Sequence, residues 1–336
     1  MSDAPLVTVS LITYNHARYI EQAVESVLAQ RTTFPFEFII GEDESSDGTR
    51  EIVQRMAAEN PGRIRLNLHS RQSNIGYNGR PTGRHNFVQN IRAARGKYIA
   101  ILDGDDYWTD PQKLQRQADL LESRPEYAVC FHRNDVVDEN GDLLSVPSNI
   151  PVSKPSFSLS EYLDLQFLPW TCTLMFRRGL FKDFPDWYFK CPVGDFPLNV
   201  INAQHGGFGF IDEVMAAYRI HAGGIWSLGL KHTEWAEKSR EQQERQAARW
   251  RSMRVLYEYL DAYLGTQYRP VVHRKMAEFA KSEASCHRWL GDFKSVRRCL
   301  WKAAVAEADV DPRKALRSLQ LILRSFVKPR EGVALP

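Results

Sequence analysis

Three carboxylates crowd one four-residue segment of this 336-residue chain, Asp103, Asp105 and Asp106, with Gly104 between the first two. Carboxylates this close repel one another unless protons or a cation neutralise them. Mg²⁺ and Mn²⁺ prefer carboxylate oxygens as ligands and often leave coordination positions open for substrate phosphates. This segment, the acidic turn, is therefore either a divalent-metal site or a solvated acidic loop.

The position of the acidic turn favours the metal site. It directly follows Lys97 to Leu102, a run apolar enough to be a strand buried on both faces. Two further polar segments, Thr13-Tyr14-Asn15 and Glu42-Asp43, lie at the ends of earlier apolar runs. Ligands of parallel sheets bind beyond the carboxyl ends of the strands, so we expect all three segments to meet at one edge.

Apolar runs and amphipathic stretches alternate before the acidic turn and just beyond it. Ile20, Ala23, Val24 and Val27 recur at helical spacing, and Asp110-Pro111 is expected to open a helix that runs to Ser123 with the proline in its first turn. Strands are predicted at residues 6–13, 36–40, 64–68 and 97–102, and further helices at 49–58 and 87–94. This alternation predicts an α/β fold, a doubly wound, mostly parallel or mixed sheet with helices on both faces.

The pattern changes in the second half of the chain. Residues 127–228 carry short strands and loops rich in Pro, Trp and Phe, whereas residues 229–336 are basic and consistently helical. Helices are predicted at 234–264, 271–290, 293–308 and 312–326, with a tight turn at Gly291-Asp292. We therefore predict an α/β domain over 1–228, with halves 1–126 and 127–228, and an all-α C-terminal domain over 229–336.

Composition excludes several classes of protein. A formal net charge of +3 gives no reason to expect a nucleic-acid partner. No stretch approaches the roughly 20 apolar residues of a membrane span, and the start of the sequence lacks the pattern of a signal peptide. The five cysteines form no Cys-x-x-Cys pair, which argues against a disulfide framework or structural zinc. We expect a cytoplasmic protein, either free or peripheral at the inner face of the plasma membrane.

Residues 7 to 120 resemble the nucleotide-sugar half of the family 2 glycosyltransferases, which have the GT-A fold. The matching stretches are VSLITYNHARYIEQAVESVLAQ, FEFIIGEDESSDGTREI, the NIG at 74–76 and GKYIAILDGDDYWTDPQKLQRQ. The resemblance implies an inverting, hexosyltransferase-type enzyme of polysaccharide synthesis. Such an enzyme uses a nucleoside-diphosphate sugar with Mn²⁺ or Mg²⁺ and a glycan or lipid-linked acceptor.

The resemblance also assigns roles near the strand ends. Asp105 is the expected direct metal ligand, and Asp103 the contact to the donor ribose or to the metal. Asp43 corresponds to the acid that recognises uracil, although from the residues alone it is equally a helix-capping acid. The donor-binding set comprises Thr13, Tyr14, Asn15, Asp43, Asn74, Asp103, Asp105 and Arg219.

One departure from the family pattern bears on the donor base. The common Asp-Asp-Gly-Ser form reads Glu42-Asp43-Glu44-Ser45 here, so the glycine is missing while the second acid is kept. The resemblance therefore favours a UDP-sugar and leaves dTDP- and GDP-sugars open.

The catalytic base is expected in the second half. Gly194 to Leu198 resembles the family segment in which an acid precedes the acceptor-facing helix, which makes Asp195 the candidate base. A free Asp has a pKa near ~4 and is ionised at neutral pH; the alternative is an N-cap for a helix at 198–204. By the same resemblance His221 completes the metal site, or else is a hydrogen-bonded structural residue. Trp108 is either a sugar-stacking ring or a packing residue.

Three other classes of protein are alternatives to a glycosyltransferase. The first strand is not followed by a Gly-rich phosphate loop, which disfavours a nucleotidyltransferase or a dehydrogenase. A nucleotide-sugar-binding module without catalysis is the non-enzymatic alternative, its helical tail mediating protein or membrane contacts. In that tail Leu316, Leu319, Leu323 and Phe326 alternate with Arg and Lys, which fits either an anionic membrane surface or a packed bundle that could form a homodimer.

Overall fold

The computed structural model describes residues 4–73, 76–77, 80–146, 150, 154–224 and 239–326. The chain divides into two compact units, Met1–Lys231 and His232–Pro336. The predicted domain boundary, residue 228, lies just before this division.

A nine-stranded mixed sheet forms the first unit, in the order β3-β2-β1-β6-β10-β8-β11-β7, with β9 beside β11. Neighbours from β3 to β6 are parallel, whereas β10 is antiparallel to both β6 and β8. The strands are β1 Val7–Thr13, β2 Phe36–Glu42, β3 Ile64–Leu68, β4 Gly76–Tyr77, β5 Arg80–Pro81, β6 Tyr98–Asp103, β7 Tyr107–Trp108, β8 Tyr127–Val137, β9 Ser156–Phe157, β10 Met175–Arg177 and β11 Gly207–Arg219. β4 and β5 pair separately as a two-stranded ribbon.

Two of the parallel strands, β1 and β6, are central and buried on both faces. In β1 the apolar Val7, Val9 and Leu11 are buried on one face and Thr8 and Ser10 on the other, while β6 is apolar on both faces and buried from Tyr98 to Leu102. A strand with two apolar faces is stable only between covering layers, as predicted for this part of the chain.

The helices predicted in the first unit are present, with ends shifted by up to three residues, and one short helix, Leu159–Leu163, was not predicted. The helices are α1 Ile20–Leu28, α2 Thr49–Glu59, α3 Arg84–Ala93, α4 Lys113–Ser123, α5 Leu159–Leu163 and α6 Asp195–Ala203, with short 3-10 turns at Arg71–Ser73, Thr171–Thr173 and Asp186–Lys190. The prediction that Pro111 lies in the first turn of α4 is wrong. The Asp110 carboxylate accepts a hydrogen bond from the Gln112 N–H, so a turn precedes the helix, and the Pro111 carbonyl instead accepts from Arg31.

The second half of the sheet, which is mixed because β8 and β11 are parallel to each other, has longer strands than the sequence pattern predicts. The apolar runs predict strands only near residues 128–132 and 208–211, because polar residues follow both runs. Those polar segments pair with each other, Val214 with Arg133 and Ala217 with Asp135, past register irregularities between Ile211 and Val214 and between Val214 and Ala216. β7 then adds to β11, with Ala216 opposite Trp108.

In the second unit, the described residues form four α-helices, α7 Arg240–Tyr263, α8 Arg269–Trp289, α9 Phe293–Ala308 and α10 Pro312–Arg324, with a 3-10 turn at Thr266–Tyr268. Small residues, Ala277, Ala280, Ala303 and Ala306, let α8 and α9 pack closely. Gly291 has φ 76°, which suits glycine and permits the predicted turn between these helices. Every helix in the described ranges is too short or too polar to cross a bilayer.

Candidate functional site

The carboxyl ends of β1, β2 and β6 meet at one edge of the sheet. Ile12 lies opposite Asp103 and Thr13 opposite Glu42 in the parallel registers. The acidic turn and the two polar segments are thereby neighbours, which is the arrangement expected from the sequence.

Two imidazoles approach the carboxylate of Asp105. The Nε2 atom of His221 lies 3.0 Å from Asp105 Oδ2, and the Nε2 atom of His16 lies 3.7 Å from the same oxygen. One ligand atom from each of these residues lies within 4.8 Å of the others. The Asp105 side chain is 18% exposed, so solvent and a ligand can reach it.

His16 is a site residue that the sequence reasoning missed. It follows Asn15 in the loop after β1, where its backbone N–H donates to Thr49 Oγ1 at 2.8 Å. Its Nδ1 lies 3.2 Å from Thr13 Oγ1, which turns the other ring nitrogen toward the acidic turn. The signal that could have identified His16 was its position in the loop after a parallel strand, because such loops lie at the same edge of the sheet as Asp105.

These three groups suit a divalent cation. Burial lowers the pKa of His16, which leaves a neutral imidazole, the form that binds metals. Burial raises the pKa of Asp105, but the attraction of the His16 and His221 rings in their protonated forms and the hydrogen bond with His221 bring it below its ordinary value, so the carboxylate is anionic. A carboxylate with two imidazoles is a donor set that binds Mn²⁺ or a similar ion.

Asp103 adds to the crowding of negative charge. Burial and the charges of Asp105 and Asp195 raise the pKa of Asp103 to about 8. A cation beside Asp105 would oppose that rise, because it would relieve the repulsion between the carboxylates. The site therefore fits a divalent ion in both its ligand atoms and its charge.

Asp106 and Arg219 fasten the acidic turn to the end of β11. The buried Asp106 carboxylate accepts a hydrogen bond from the Arg219 backbone N–H at 2.8 Å. The Arg219 guanidinium donates from Nε to the Asp105 carbonyl at 2.9 Å and from Nη2 to Gln22 Oε1 at 2.6 Å. It also lies over the rings of Tyr19 and Tyr107. Arg219 is thus 4% exposed and satisfied by groups of the protein.

Gly104 allows the acidic turn to pack against the loop after β1. A Cβ atom at this position would lie 2.6 Å from Thr13 Oγ1 and 2.9 Å from His16 Nδ1. Both distances are shorter than van der Waals contact, so only glycine permits this approach.

Asp43 lies on the other side of Thr13 and is almost completely buried. Its Oδ2 accepts a hydrogen bond from Arg71 at 3.3 Å, and the Arg71 guanidinium carbon lies 3.6 Å from the centre of the Tyr14 ring. Arg71 is a second residue that the sequence reasoning missed. It joins the two predicted base-binding side chains, an acid and an aromatic ring, into one cluster.

The loops after β1 and β2 are tied together by Asn15 and Glu44. The Asn15 side chain accepts from the Ser46 N–H at 2.9 Å, while the Asn15 N–H donates to Ser45 Oγ at 2.9 Å. Glu44, where the common family pattern has glycine, keeps a left-handed φ of 58°. Its carboxylate accepts from the Arg71 N–H at 2.7 Å, which helps to hold a conformation that is unfavourable for a residue with a Cβ.

Asp195 is the first residue of α6, which begins three residues before the predicted helix at 198–204. It is therefore inside the helix, with Gly194 at the cap, and its carboxylate accepts from the Phe196 N–H at 2.8 Å. Burial raises its pKa above the ordinary value. Since its charge also raises the pKa of Asp103, the two carboxylates are close enough to interact.

The remaining candidates are less informative. Asn74 lies outside the described residues. The reading of Trp108 as a sugar platform is wrong, because the ring is 4% exposed and its Nε1 donates to the Cys172 carbonyl at 3.0 Å. All five cysteines are buried and free.

Comparison with known proteins yields a family and a fold. The family model described as glycosyl transferase family 2 matches residues 8–184. The uncharacterized protein Rv1520 of Mycobacterium tuberculosis is 38% identical over 223 residues, 64% of this chain and 59% of that protein, so the chain spans less than two thirds of this relative. An uncharacterized glycosyltransferase of Nostoc sp., alr2836, is 31% identical over 225 residues, 64% of this chain and 65% of that protein.

Among solved structures, Staphylococcus aureus TarS 1–349 in complex with UDP-GlcNAc superposes with a TM-score of 0.59 at 18% identity, covering 95% of this chain and 89% of TarS. The mannosyltransferase PcManGT of Pyrobaculum calidifontis, in complex with GDP-Man and Mn²⁺, superposes with a TM-score of 0.51 at 17% identity, covering 97% of this chain and 82% of that one. At such identities the likeness shows the fold, a GT-A-type mixed sheet followed by helices, as the sequence predicted.

Proposed function

Because this chain belongs to glycosyl transferase family 2, we propose that it moves a hexose from a nucleoside-diphosphate sugar to an acceptor hydroxyl, with inversion at the anomeric carbon. The observation that carries the proposal is the meeting of Asp105, His16 and His221 at the carboxyl ends of the parallel strands. Asp195, whose charge raises the pKa of Asp103, supplies a second carboxylate, to which we assign the role of catalytic base.

The donor base is proposed to lie beside Asp43, with Thr13, Tyr14 and Asn15 forming the rest of the strand-end cleft and Asn74 a further contact. A carboxylate at Asp43 can accept the N–H of a uracil ring, and this favours a UDP-sugar. Arg71 pairs with Asp43 and stacks on Tyr14, so it sets the position of both. Thymine presents the same N–H to Asp43, so a dTDP-sugar is the main alternative donor.

Asp105, His221 and His16 would hold a divalent cation, with Asp103 directed to the ion or the ribose. When bound, such an ion stabilises negative charge on the departing diphosphate. Arg219 is proposed to position Asp105, since its guanidinium donates a hydrogen bond to the Asp105 carbonyl.

Asp195 is proposed as the base. The acceptor oxygen forms a bond to the anomeric carbon as the bond from that carbon to the diphosphate oxygen breaks, and the acceptor proton passes to the Asp195 carboxylate. A raised pKa makes Asp195 a stronger proton acceptor than an exposed aspartate, provided that it is ionised at the working pH. The acceptor is proposed to be a glycan or a lipid-linked glycan.

A donor screen tests the proposal directly. The full chain is heated with UDP-, dTDP- and GDP-sugars in the presence of Mn²⁺, since a true donor stabilises the folded protein. We expect one UDP-sugar to raise the melting temperature and to release UDP on incubation, and expect both effects to vanish with EDTA. A donor that binds tightly but never turns over would instead support the non-catalytic binding module.

The C-terminal helix α10 is proposed to rest on an anionic membrane at the inner face of the plasma membrane. Between 312 and 324 it carries Arg313, Lys314, Arg317 and Arg324 and no acid. Leu316, Leu323 and Phe326 are 57%, 69% and 66% exposed, which gives the apolar contact an interfacial helix needs. Unchanged binding to phosphatidylglycerol vesicles after Leu316→Ser and Leu323→Ser would contradict this, and a change from dimer to monomer in these variants would point to a homodimer.

A further inference from the structure

Helices α7, α8 and α9 of the second unit enclose a cavity of about 230 Å³ that is rich in cationic side chains. Arg251 and Arg254 reach it from α7, and Arg298 and Lys302 reach it from α9. Residues three or four apart lie on the same helix face, so each pair points in one direction. This cavity and the groove that continues from it are called the basic groove.

The acids at the cavity of about 230 Å³ do not balance its four cations. The buried Glu283 carboxylate accepts from Arg251 Nε at 2.7 Å and lies 3.5 Å from Arg254 Nε. Glu258, which lines the adjoining part of the groove, pairs with Arg254 as well. Within the described ranges Arg298 and Lys302 form no ion pair, so two positive charges are in excess in this cavity.

A buried donor in the basic groove lacks a hydrogen-bond partner. Arg254 is 3% exposed, and its Nε makes no hydrogen bond within the described part of the chain. The nearest acceptor, the Glu283 carboxylate, lies 3.5 Å from this nitrogen, so an acceptor that entered the cavity and hydrogen-bonded to it would be favoured there.

A metal ion is a poorer match to this cavity. Glu283, His287 and Cys299 have ligand atoms within 4.8 Å of one another. However, Arg251 donates to Glu283 and lies 3.3 Å from His287 Nε2, so a guanidinium already stands where a cation would bind. The charges present favour an anion.

The basic groove extends from Arg254 and Lys302 into a second space of about 380 Å³. Trp301, which is 58% exposed, lines this part together with three acids, Glu258, Asp261 and Asp309. An exposed indole face is a large rigid apolar surface, and a neighbouring carboxylate accepts hydrogen bonds from hydroxyl groups. A ring with both C–H and O–H groups matches this combination.

We propose that the basic groove binds a phosphorylated saccharide, with the phosphate among Arg254, Arg298 and Lys302 and the sugar ring against Trp301. A phosphate monoester carries about −1.5 to −2 charges at pH 7, which matches the excess positive charge. The site lies wholly within the helical unit and does not depend on any step of the proposed transfer reaction.

Calorimetric titration of the full chain, in buffer freed of metals by a chelating resin, tests this site with three probes. Glucose 6-phosphate is expected to bind more tightly than inorganic phosphate, and glucose is expected not to bind. Lys302→Ala and Arg298→Gln each remove one exposed cation and should weaken both phosphate probes about tenfold, the effect of one charge-assisted hydrogen bond. Trp301→Ala should weaken only glucose 6-phosphate, about fivefold.

Two controls separate this groove from the rest of the molecule. Lys294→Ala removes an exposed cation of α9 outside the groove, and Asp105→Asn alters the acidic turn, so neither should change the titrations. The proposal is overturned if glucose 6-phosphate does not bind, or if Lys302→Ala and Lys294→Ala have equal effects. Equal affinity for phosphate and glucose 6-phosphate, with no effect of Trp301→Ala, would refute the saccharide part.

Discussion

The parallel half of the sheet, β3-β2-β1-β6, and the mixed half, β10-β8-β11-β7, contribute to the site in different ways. In the parallel half, Thr13, Asp43 and Asp103 lie at one edge simply because parallel strands end together. In the mixed half, Asp195 comes from the start of a helix and His221 from beyond β11. The link is the pairing of β7 with β11, which places Arg219 and His221 beside the acidic turn.

Strand topology thus positions the donor-side groups Thr13, Asp43 and Asp103, whereas Asp195 and His221 depend on the path of individual segments. We therefore expect the parallel half to determine donor binding, both halves to contribute to metal binding, and the mixed half to determine proton transfer. Four experiments test that division, beginning with the residue at which the two halves meet.

Asp105→Asn should have the largest effect. It removes the anionic ligand while keeping the size of the side chain, and we expect the transfer rate to fall at least ~10³-fold, since metal stabilisation of the diphosphate is worth several kcal/mol. Rates are measured by UDP release at saturating Mn²⁺. The exposed Asp142→Asn is the matched control, and comparable loss in both variants would disprove a special role for Asp105.

Asp195→Asn should lower kcat by about 10²–10⁴-fold, the usual contribution of a general base, and leave the donor KM unchanged. An amide of the same shape cannot accept the proton. The control is Asp186→Asn, an exposed acid at the start of the preceding 3-10 turn. If donor KM rises in parallel with the loss of kcat, the two halves do not divide the work as proposed.

His221→Ala and His16→Ala compare the two halves directly. We expect each to raise the Mn²⁺ concentration for half-maximal activity at least about tenfold. The effect of His221→Ala should be larger, because its Nε2 lies 3.0 Å from Asp105 Oδ2 while that of His16 lies at 3.7 Å. Calorimetric Mn²⁺ binding gives an independent measure, and the exposed His205→Ala should leave it unchanged. Equal Mn²⁺ affinity in all three variants would remove both imidazoles from the site.

Substitutions of Glu44 should have the smallest effect, and they test the parallel half alone. Glu44→Ala loses the hydrogen bond to the Arg71 N–H and keeps the left-handed backbone, so it should slightly lower the free energy of unfolding. Glu44→Gly loses the same bond but removes the strain, and should be about 1 kcal/mol more stable than the alanine variant. Urea unfolding measures both; equal stabilities would mean that the φ of 58° carries no strain.

The sequence predicted the parallel half well, because buried strands and their polar ends leave a local pattern. β3 and α9 have the predicted bounds, and the acidic turn lies at the expected edge. The lengths of β8 and β11 were underestimated, since the polar residues that pair across them, Arg133 to Asp135 among them, look like loop in isolation.

The site residues that were missed are those that only their position in the folded protein identifies. His16 and Arg71 have no motif of their own, and only the folded strand ends bring them to Asp105 and Tyr14. The basic groove was invisible for the same reason, because its cations come from two helices separated by a third. Charge along a sequence reveals a basic segment, but only the packing of helices shows that the charges share a cavity.

The close approach at Gly104 has a consequence for how this protein can vary. Every single-base change in a glycine codon that alters the amino acid introduces a Cβ atom, and here that atom would meet Thr13 Oγ1 at 2.6 Å. No one-step replacement can be accommodated unless Thr13 or His16 moves first. A substitution at Gly104 therefore requires an earlier change in the loop after β1, so the sequence of the acidic turn depends on the sequence of that loop.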